Sequence, residues 1–277
     1  MGVAIDLKGR RILIVGASSG VGRSTALAVA AHGGQIAVVG RRAAQLDEVV
    51  AAAGGGVAIQ ADLTDADACA RVVETATTAL GGLDAVLLPV GVSPLQVMTG
   101  LTAETWFQAF ATNVVGPALV TAAAVKARVE PGLFLFVSSA NVAQPLHGLG
   151  AYGATKAALE HTIRTWRMEH PEHRFLKLTI GATMPTEIHR DFRDDVLGEL
   201  LPRWAGTGIV TADFMEVGDV GAAVAELVAV ALDHPKIAVD DVVLNPAAAP
   251  LDEAALNRLA ELAAAGEHLD ADGQPKV

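Results

Sequence analysis

Arg11-Ile12-Leu13-Ile14-Val15-Gly16-Ala17-Ser18-Ser19-Gly20-Val21-Gly22 is the stretch on which the fold turns. Its first five residues form a short apolar run bounded by glycines, the pattern of a strand buried on both faces. The glycine-rich turn that follows opens directly into an apolar helical pattern over residues 24–31. Glycines at such a turn let backbone approach a pyrophosphate closely, and the helix start offers unpaired N–H groups to an anion. Gly16, Ser18, Ser19, Gly20, Val21 and Gly22 are therefore the expected phosphate-facing loop of a bound dinucleotide.

Reading outward, apolar runs at residues 35–40, 57–61, 83–88, 133–137, 175–180 and 237–244 add six more strands. Helical segments separate them, at 66–80, 102–126, 152–169 and 216–232 among others. Strand and helix in alternation predict an α/β fold with a doubly wound parallel sheet. The composition agrees: 52% of the 277 residues are hydrophobic but only 4% aromatic, which suits closely packed helices on parallel strands. A net charge of −11 argues against nucleic-acid or anionic-membrane partners, which require a basic patch.

The single cysteine, Cys69, cannot close an internal disulfide, and no His/Cys cluster has metal-ligand spacing, so no metal is expected. The N-terminus lacks the apolar run of a signal peptide, and a cytoplasmic protein is the expectation. Residues 105–125 form a long uncharged run that imitates a membrane span. Gln108, Asn113, Gly116 and Pro117 within it point instead to a buried or interface helix, and its lack of charge to a homodimer or homotetramer.

Arg41 and Arg42 follow the second strand, and Gly40 stands where an acid would receive the ribose 2′-OH of NAD. Two guanidiniums at that strand end suit the extra 2′-phosphate of NADP, so NADP(H) is expected over NAD(H), with Ser18 a second phosphate contact. Asp47 and Glu48, a turn or two further on, are competing partners for the same charges.

Farther along, Tyr152 and Lys156 stand four residues apart, with Ser139 thirteen residues before the tyrosine. On a helix the phenol and ammonium share one face. A phenol of pKa about 10 is a weak acid or base at neutral pH, and a neighbouring ammonium favours its ionised form. Tyr152 is then suited to exchange a proton with a carbonyl or alcohol oxygen that Ser139 holds in place.

The GASSGVG loop together with Tyr152-Gly-Ala-Thr-Lys156 resembles the short-chain dehydrogenase/reductase family, over roughly the first 245 residues. The resemblance implies a Rossmann-type sheet in the order 3-2-1-4-5-6-7 and hydride exchange between a nicotinamide and a carbonyl/alcohol pair. It implies Tyr152 as acid/base, Lys156 lowering its pKa and binding the nicotinamide ribose, Ser139 polarising the substrate oxygen, and Asn113 supporting a water relay. It also places Asp62 and the backbone of Leu63 at the adenine, Gly91 beside the ribose and Thr186 at the nicotinamide carboxamide.

The chain departs from the family pattern in three places. Leu88-Pro89-Val90-Gly91 replaces Asn-Asn-Ala-Gly, Gly181-Ala182 replaces Pro-Gly, and Asn245-Pro246 replaces the start of Asp-Gly-Gly. The first two segments line the cofactor rather than the reacting groups, so a nucleotide-binding sensor without turnover stays open as the alternative, beside a dehydratase or epimerase. Residues 187–212 read as irregular, the place for a lid over the substrate, and their aromatics suggest an apolar one. One catalytic domain is expected over residues 1–250, with a helical extension and tail over 251–277.

Overall fold

The computed structural model describes residues 5–127, 132–189, 194–205 and 214–247. Nine strands and eight α-helices occur among the described residues: β1 (Arg11–Val15), α1 (Gly20–Ala31), β2 (Gln35–Gly40), α2 (Ala43–Ala52), β3 (Val57–Gln60), α3 (Ala66–Leu80), β4 (Ala85–Leu88), α4 (Ala103–Phe110), α5 (Gly116–Lys126), β5 (Leu133–Ser139), α6 (Gly150–Glu169), β6 (Arg174–Ile180), β7 (Thr183–Met184), α7 (Asp194–Ala205), β8 (Met215–Glu216), α8 (Val217–Asp233) and β9 (Asp241–Leu244). Seven of the strands form one parallel sheet in the order β3-β2-β1-β4-β5-β6-β9, which is the predicted order. The expected helical extension and tail over 251–277 lie outside the described residues.

Sheet and helices bury two apolar layers, one on each face. Ile12, Ile14, Val38, Leu87 and Leu178 point to the layer shared with α1 and α8. Leu13, Val15, Val86, Phe134 and Phe136 point to the layer that faces α3, α5 and α6. The alternation within each strand follows from the period of two, and burial on both sides explains the unbroken apolar runs. At the centre, β1 pairs with β4 through Ile12↔Ala85, Leu13↔Val86 and Ile14↔Leu87.

Several boundaries differ from the sequence reading. The last strand begins at Asp241, not 237, because β9 is an edge strand whose ladder with β6 starts at Lys177↔Asp241; Ile237 stays exposed. The fourth strand likewise begins at Ala85, two residues later than read. Residues 194–205, expected to be irregular, form helix α7. Leu200 and Trp204 pack it against Leu149, with Leu95, Leu146 and Val196 around them.

The long segment at 102–126 is not one regular helix. Residues Ala111–Val115 form a π-turn between α4 and α5, centred on Asn113. By length and hydropathy the whole segment, Ala103–Lys126, would pass for a membrane span. Its Ala109, Asn113, Gly116, Pro117, Val120, Thr121 and Ala124 are instead buried in the protein.

Candidate active site

The sheet collects its chemistry at the carboxyl ends of β1, β4 and β5, where parallel α/β sheets bind ligands. After β1 the chain turns through Gly16 at φ 90° into α1. A Cβ on Gly16 would lie 2.8 Å from the Val90 Cα, and one on Gly22 would lie 2.2 Å from the Gly16 carbonyl oxygen. The departure at residues 88–91 therefore still yields a closely packed wall, with Val90 seated on the loop.

Across the loop stands Thr186, whose Cβ would be 3.7 Å from a Cβ on Gly20. Its hydroxyl is buried and has no hydrogen-bond partner among the described residues. Such a group is expensive unless something completes it. At the other end Gly40 leaves room for Ser18, whose Oγ would be 3.3 Å from an added Cβ. Arg42 reaches this serine: its Nη2 donates to Ser18 Oγ and to Ser19 Oγ, each at 3.0 Å.

Neither Asp47 nor Glu48 pairs with Arg42; the carboxylate of Glu187 does, at 2.7 Å. Arg41 is exposed, and its carbonyl accepts from the Gln60 amide. Asp62 folds back on its own turn, accepting from the Thr64 amide and hydroxyl, while Asp65 caps α3 by accepting from the Asp67 amide. Leu63 is buried against Gly116 of α5. Tight glycine turns, an orphaned hydroxyl at one end and an arginine-serine cluster at the other together fit an elongated phosphate-bearing dinucleotide.

Asn113 is fully buried, at 0% exposure. Its Oδ1 accepts from the Val92 amide at 2.8 Å, and its Nδ2 donates to the Val92 carbonyl and to Thr155 Oγ1, both at 2.9 Å. Thr155 in turn donates to the Tyr152 carbonyl at 2.7 Å. One amide thus pins the loop after β4 to the first turns of α6. Both Nδ2 hydrogens are engaged, and Oδ1 keeps a second lone pair.

This network also supplies what the missing asparagines of the loop would have given. Replacing Asn113 with Ala strands both polar groups of Val92, and each stranded group costs about 1–3 kcal/mol. The expected result is a loss of about 2–4 kcal/mol, seen as a fall in melting temperature of roughly 4–16 °C by calorimetry.

β5 extends through Ser139, two residues beyond the predicted end, and delivers that hydroxyl to Tyr152. α6 begins at Gly150, so Tyr152 lies in its first turn and Lys156 one turn on. The Lys156 ammonium sits 5.8 Å from the phenol ring centroid and donates to the Val137 carbonyl at 2.8 Å. Gly91 closes over it: a Cβ there would be 3.4 Å from Nζ and 3.5 Å from Asn113 Oδ1.

Burial dominates the electrostatics. It lowers the Lys156 pKa from 10.5 to about 8. It also raises that of Tyr152, while the Ser139 hydroxyl pulls the phenol the other way. In the free protein desolvation outweighs the pull of the Ser139 hydroxyl, which favours the neutral phenol.

Serine, tyrosine, lysine and asparagine, read from four separated places, converge beyond the carboxyl ends of β4 and β5. A family model described as short chain dehydrogenase matches residues 10–197. The chain belongs to the short-chain dehydrogenase/reductase family. Over 253 residues it is 26% identical to an uncharacterized oxidoreductase of Listeria monocytogenes, covering 89% of this chain and all of that one. It is 32% identical to the L-xylulose reductase of Mesocricetus auratus, over 66% of this chain and 74% of the relative. Among solved structures, a short-chain type dehydrogenase/reductase from Mycobacterium marinum superposes with TM-score 0.75 at 26% identity, covering 87% and 96% of the two chains. A Burkholderia cenocepacia short chain dehydrogenase in complex with NADP superposes with TM-score 0.72 at 25% identity, covering 86% and 97%. As a member of this family the chain is an NAD(P)(H) oxidoreductase acting on a carbonyl/alcohol pair.

Beyond the predicted residues, three groups shape the site without a signal in the sequence reading. Thr155 links Asn113 to Tyr152, the Val137 carbonyl holds Lys156, and Glu187 holds Arg42. His147, on the loop between Ser139 and Tyr152, is exposed, and its carbonyl accepts from Trp204 Nε1 at 2.8 Å. Trp204 is buried, so it packs α7 to the body. Phe192 lies outside the described residues.

Proposed function

We propose that the protein reduces a small carbonyl compound, or oxidises the matching alcohol, with NADP(H) preferred over NAD(H) and Tyr152 as the proton donor and acceptor. The observation that carries this reading is the Tyr152 phenol placed beside Ser139 and Lys156, with Gly91 over the lysine and its neighbour Val90 seated on the glycine loop. The nicotinamide, when bound, supplies or accepts the hydride. Ser139 holds the substrate oxygen and Tyr152 gives it the proton that makes the alcohol. Lys156, kept against the Val137 carbonyl, presents a positive charge that favours the phenolate left behind.

Arg42, Ser18 and Ser19 support NADP(H), since a guanidinium fork matches a phosphate and no acid stands at position 40 to meet a ribose hydroxyl. Thr186 is the proposed carboxamide contact, Gly91 lies where the ribose approaches, and Asp62 and Leu63 would flank the adenine. Leu146 and Leu149 give the substrate side an apolar wall. Phe107, 74% exposed, and Val115 on the α4–α5 segment, with Met168 on α6, favour self-association into a homodimer or homotetramer.

Titration of the purified protein with NADPH and with NADH, read by nicotinamide fluorescence, tests the cofactor assignment. NADPH is expected to bind at least tenfold more tightly, each charge-assisted contact to the phosphate being worth about 1.5–3 kcal/mol. Substituting Arg41 and Arg42 together with Ala should erase the difference. Equal affinities in the unmodified protein would assign the arginines to the protein's own surface.

A further inference from the structure

Arg42 is not an idle phosphate receptor. Its Nη2 alone faces three acceptors, Ser18 Oγ and Ser19 Oγ at 3.0 Å and Glu187 Oε2 at 2.7 Å. A terminal guanidinium nitrogen carries two hydrogens; these go to the two serines, while the carboxylate is held by charge. The shortest of the three contacts is the ionic one. It joins the turn after β2 to the residue next to Thr186, spanning the phosphate-facing loop between two chain segments that flank the cleft.

We propose that Glu187 is a built-in competitor for the cofactor phosphate, and that it sets the affinity and selectivity for NADP(H) by occupying Arg42 until a phosphate displaces it. The inference rests on the NADP(H) reading of the site. The Arg42 and Glu187 side chains are 31% and 42% exposed, so the bridge is a surface pair of modest strength that a phosphate dianion can break. A carboxylate that stays nearby still repels a bound phosphate. Glu187 therefore weakens binding twice, first by holding the arginine and then by its own charge.

The consequence differs between the two nicotinamide cofactors. NADH lacks the 2′-phosphate and has no reason to take Arg42 from its partner. NADPH must take it, and so bears the whole cost of the exchange. Screening by salt acts on both the bridge and the repulsion, so the penalty shrinks as ionic strength rises.

The experiment is fluorescence titration of NADPH and NADH against the unmodified protein, Glu187→Gln, Glu187→Ala, Arg42→Ala and Arg42→Ala/Glu187→Gln, with melting temperatures confirming that each is folded. Both single variants are expected to bind NADPH about three- to tenfold more tightly at low salt, and NADH within twofold of the unmodified protein. In the Arg42→Ala background the glutamine should tighten NADPH by less than it does with Arg42 present, because only the direct repulsion is then relieved. Unchanged or weaker NADPH binding in both single variants overturns the proposal, as does equal tightening for the two nucleotides. If the unmodified protein binds neither nucleotide, the cofactor assignment itself fails, before any variant is compared.

Discussion

Tyr152→Phe is expected to lower turnover by a factor of roughly 10²–10⁴ while leaving NADPH affinity within about twofold, since the phenol acts on the proton and not on the cofactor phosphates. Burial favours the neutral phenol in the free protein, so at neutral pH the proton needed for carbonyl reduction is already in place. Phenylalanine keeps the ring in the buried first turn of α6 and deletes only the oxygen that Ser139 faces. Steady-state rates and a fluorescence titration on one preparation separate the possible outcomes. Turnover within tenfold of the unmodified enzyme would remove Tyr152 as proton donor, and loss of NADPH binding would recast it as a cofactor contact.

Lys156→Met should have opposite effects on two properties. Lys156 is 2% exposed, and its pKa falls from 10.5 to about 8 through burial, so its charge is carried at a cost near neutral pH. At about 1.4 kcal/mol per pKa unit, that cost is on the order of 3 kcal/mol. The substitution removes it but leaves the Val137 carbonyl without its donor, which takes back about 1–2 kcal/mol. A net gain of about 1–2 kcal/mol should raise the melting temperature of the cofactor-free protein at pH 7 by roughly 2–8 °C.

The sign with pH follows from proton counting. Between pH 8 and 10.5 the unfolded chain holds the lysine proton and the folded chain has released it, so this group's contribution to stability rises with pH through that window. The methionine variant should lack that rise, as melting curves at a series of pH values would reveal. Its turnover should fall by at least a hundredfold, because nothing then favours the phenolate. A variant less stable than its parent at pH 7 would mean that the ammonium is better solvated than its burial indicates.

The fold was legible because its evidence is local. Each buried strand is a short apolar run, each helix has its own period, and the glycine turn after β1 fixes how the first pair connects. The four positions proposed to react were legible for a different reason: resemblance carried them, and the sheet then brought them together. The single long helix was misread because periodicity cannot register the one-residue slip that makes a π-turn at Asn113. Helix α7 had a readable signal in Val196, Leu200 and Trp204, four residues apart, but Gly198 and Pro202 within it mask the pattern. Nothing local ties Arg42 to Glu187, 145 positions later, or Asn113 to Val92 and Thr155. Such pairings exist only once the chain is folded, and the balance of burial against charge at Lys156 and Tyr152 belongs to the same class.

The meeting of β1 with β4 divides the site by origin. Everything N-terminal to it, the glycine loop with Ser18, Ser19, Arg41 and Arg42, is concerned with which nucleotide is held. The strands and helices that follow bring Asn113, Ser139, Tyr152 and Lys156, which are concerned with what is done to the substrate. Three paired residues in the ladder and the seat of Val90 on Gly16 join the two sets. A recombination event near residue 84 could therefore exchange cofactor choice between related enzymes while keeping the reaction, provided the incoming segment leaves a glycine beneath Val90. The Arg42–Glu187 contact crosses that boundary, so a hybrid would inherit its two ends from different parents, and with them a new cofactor affinity.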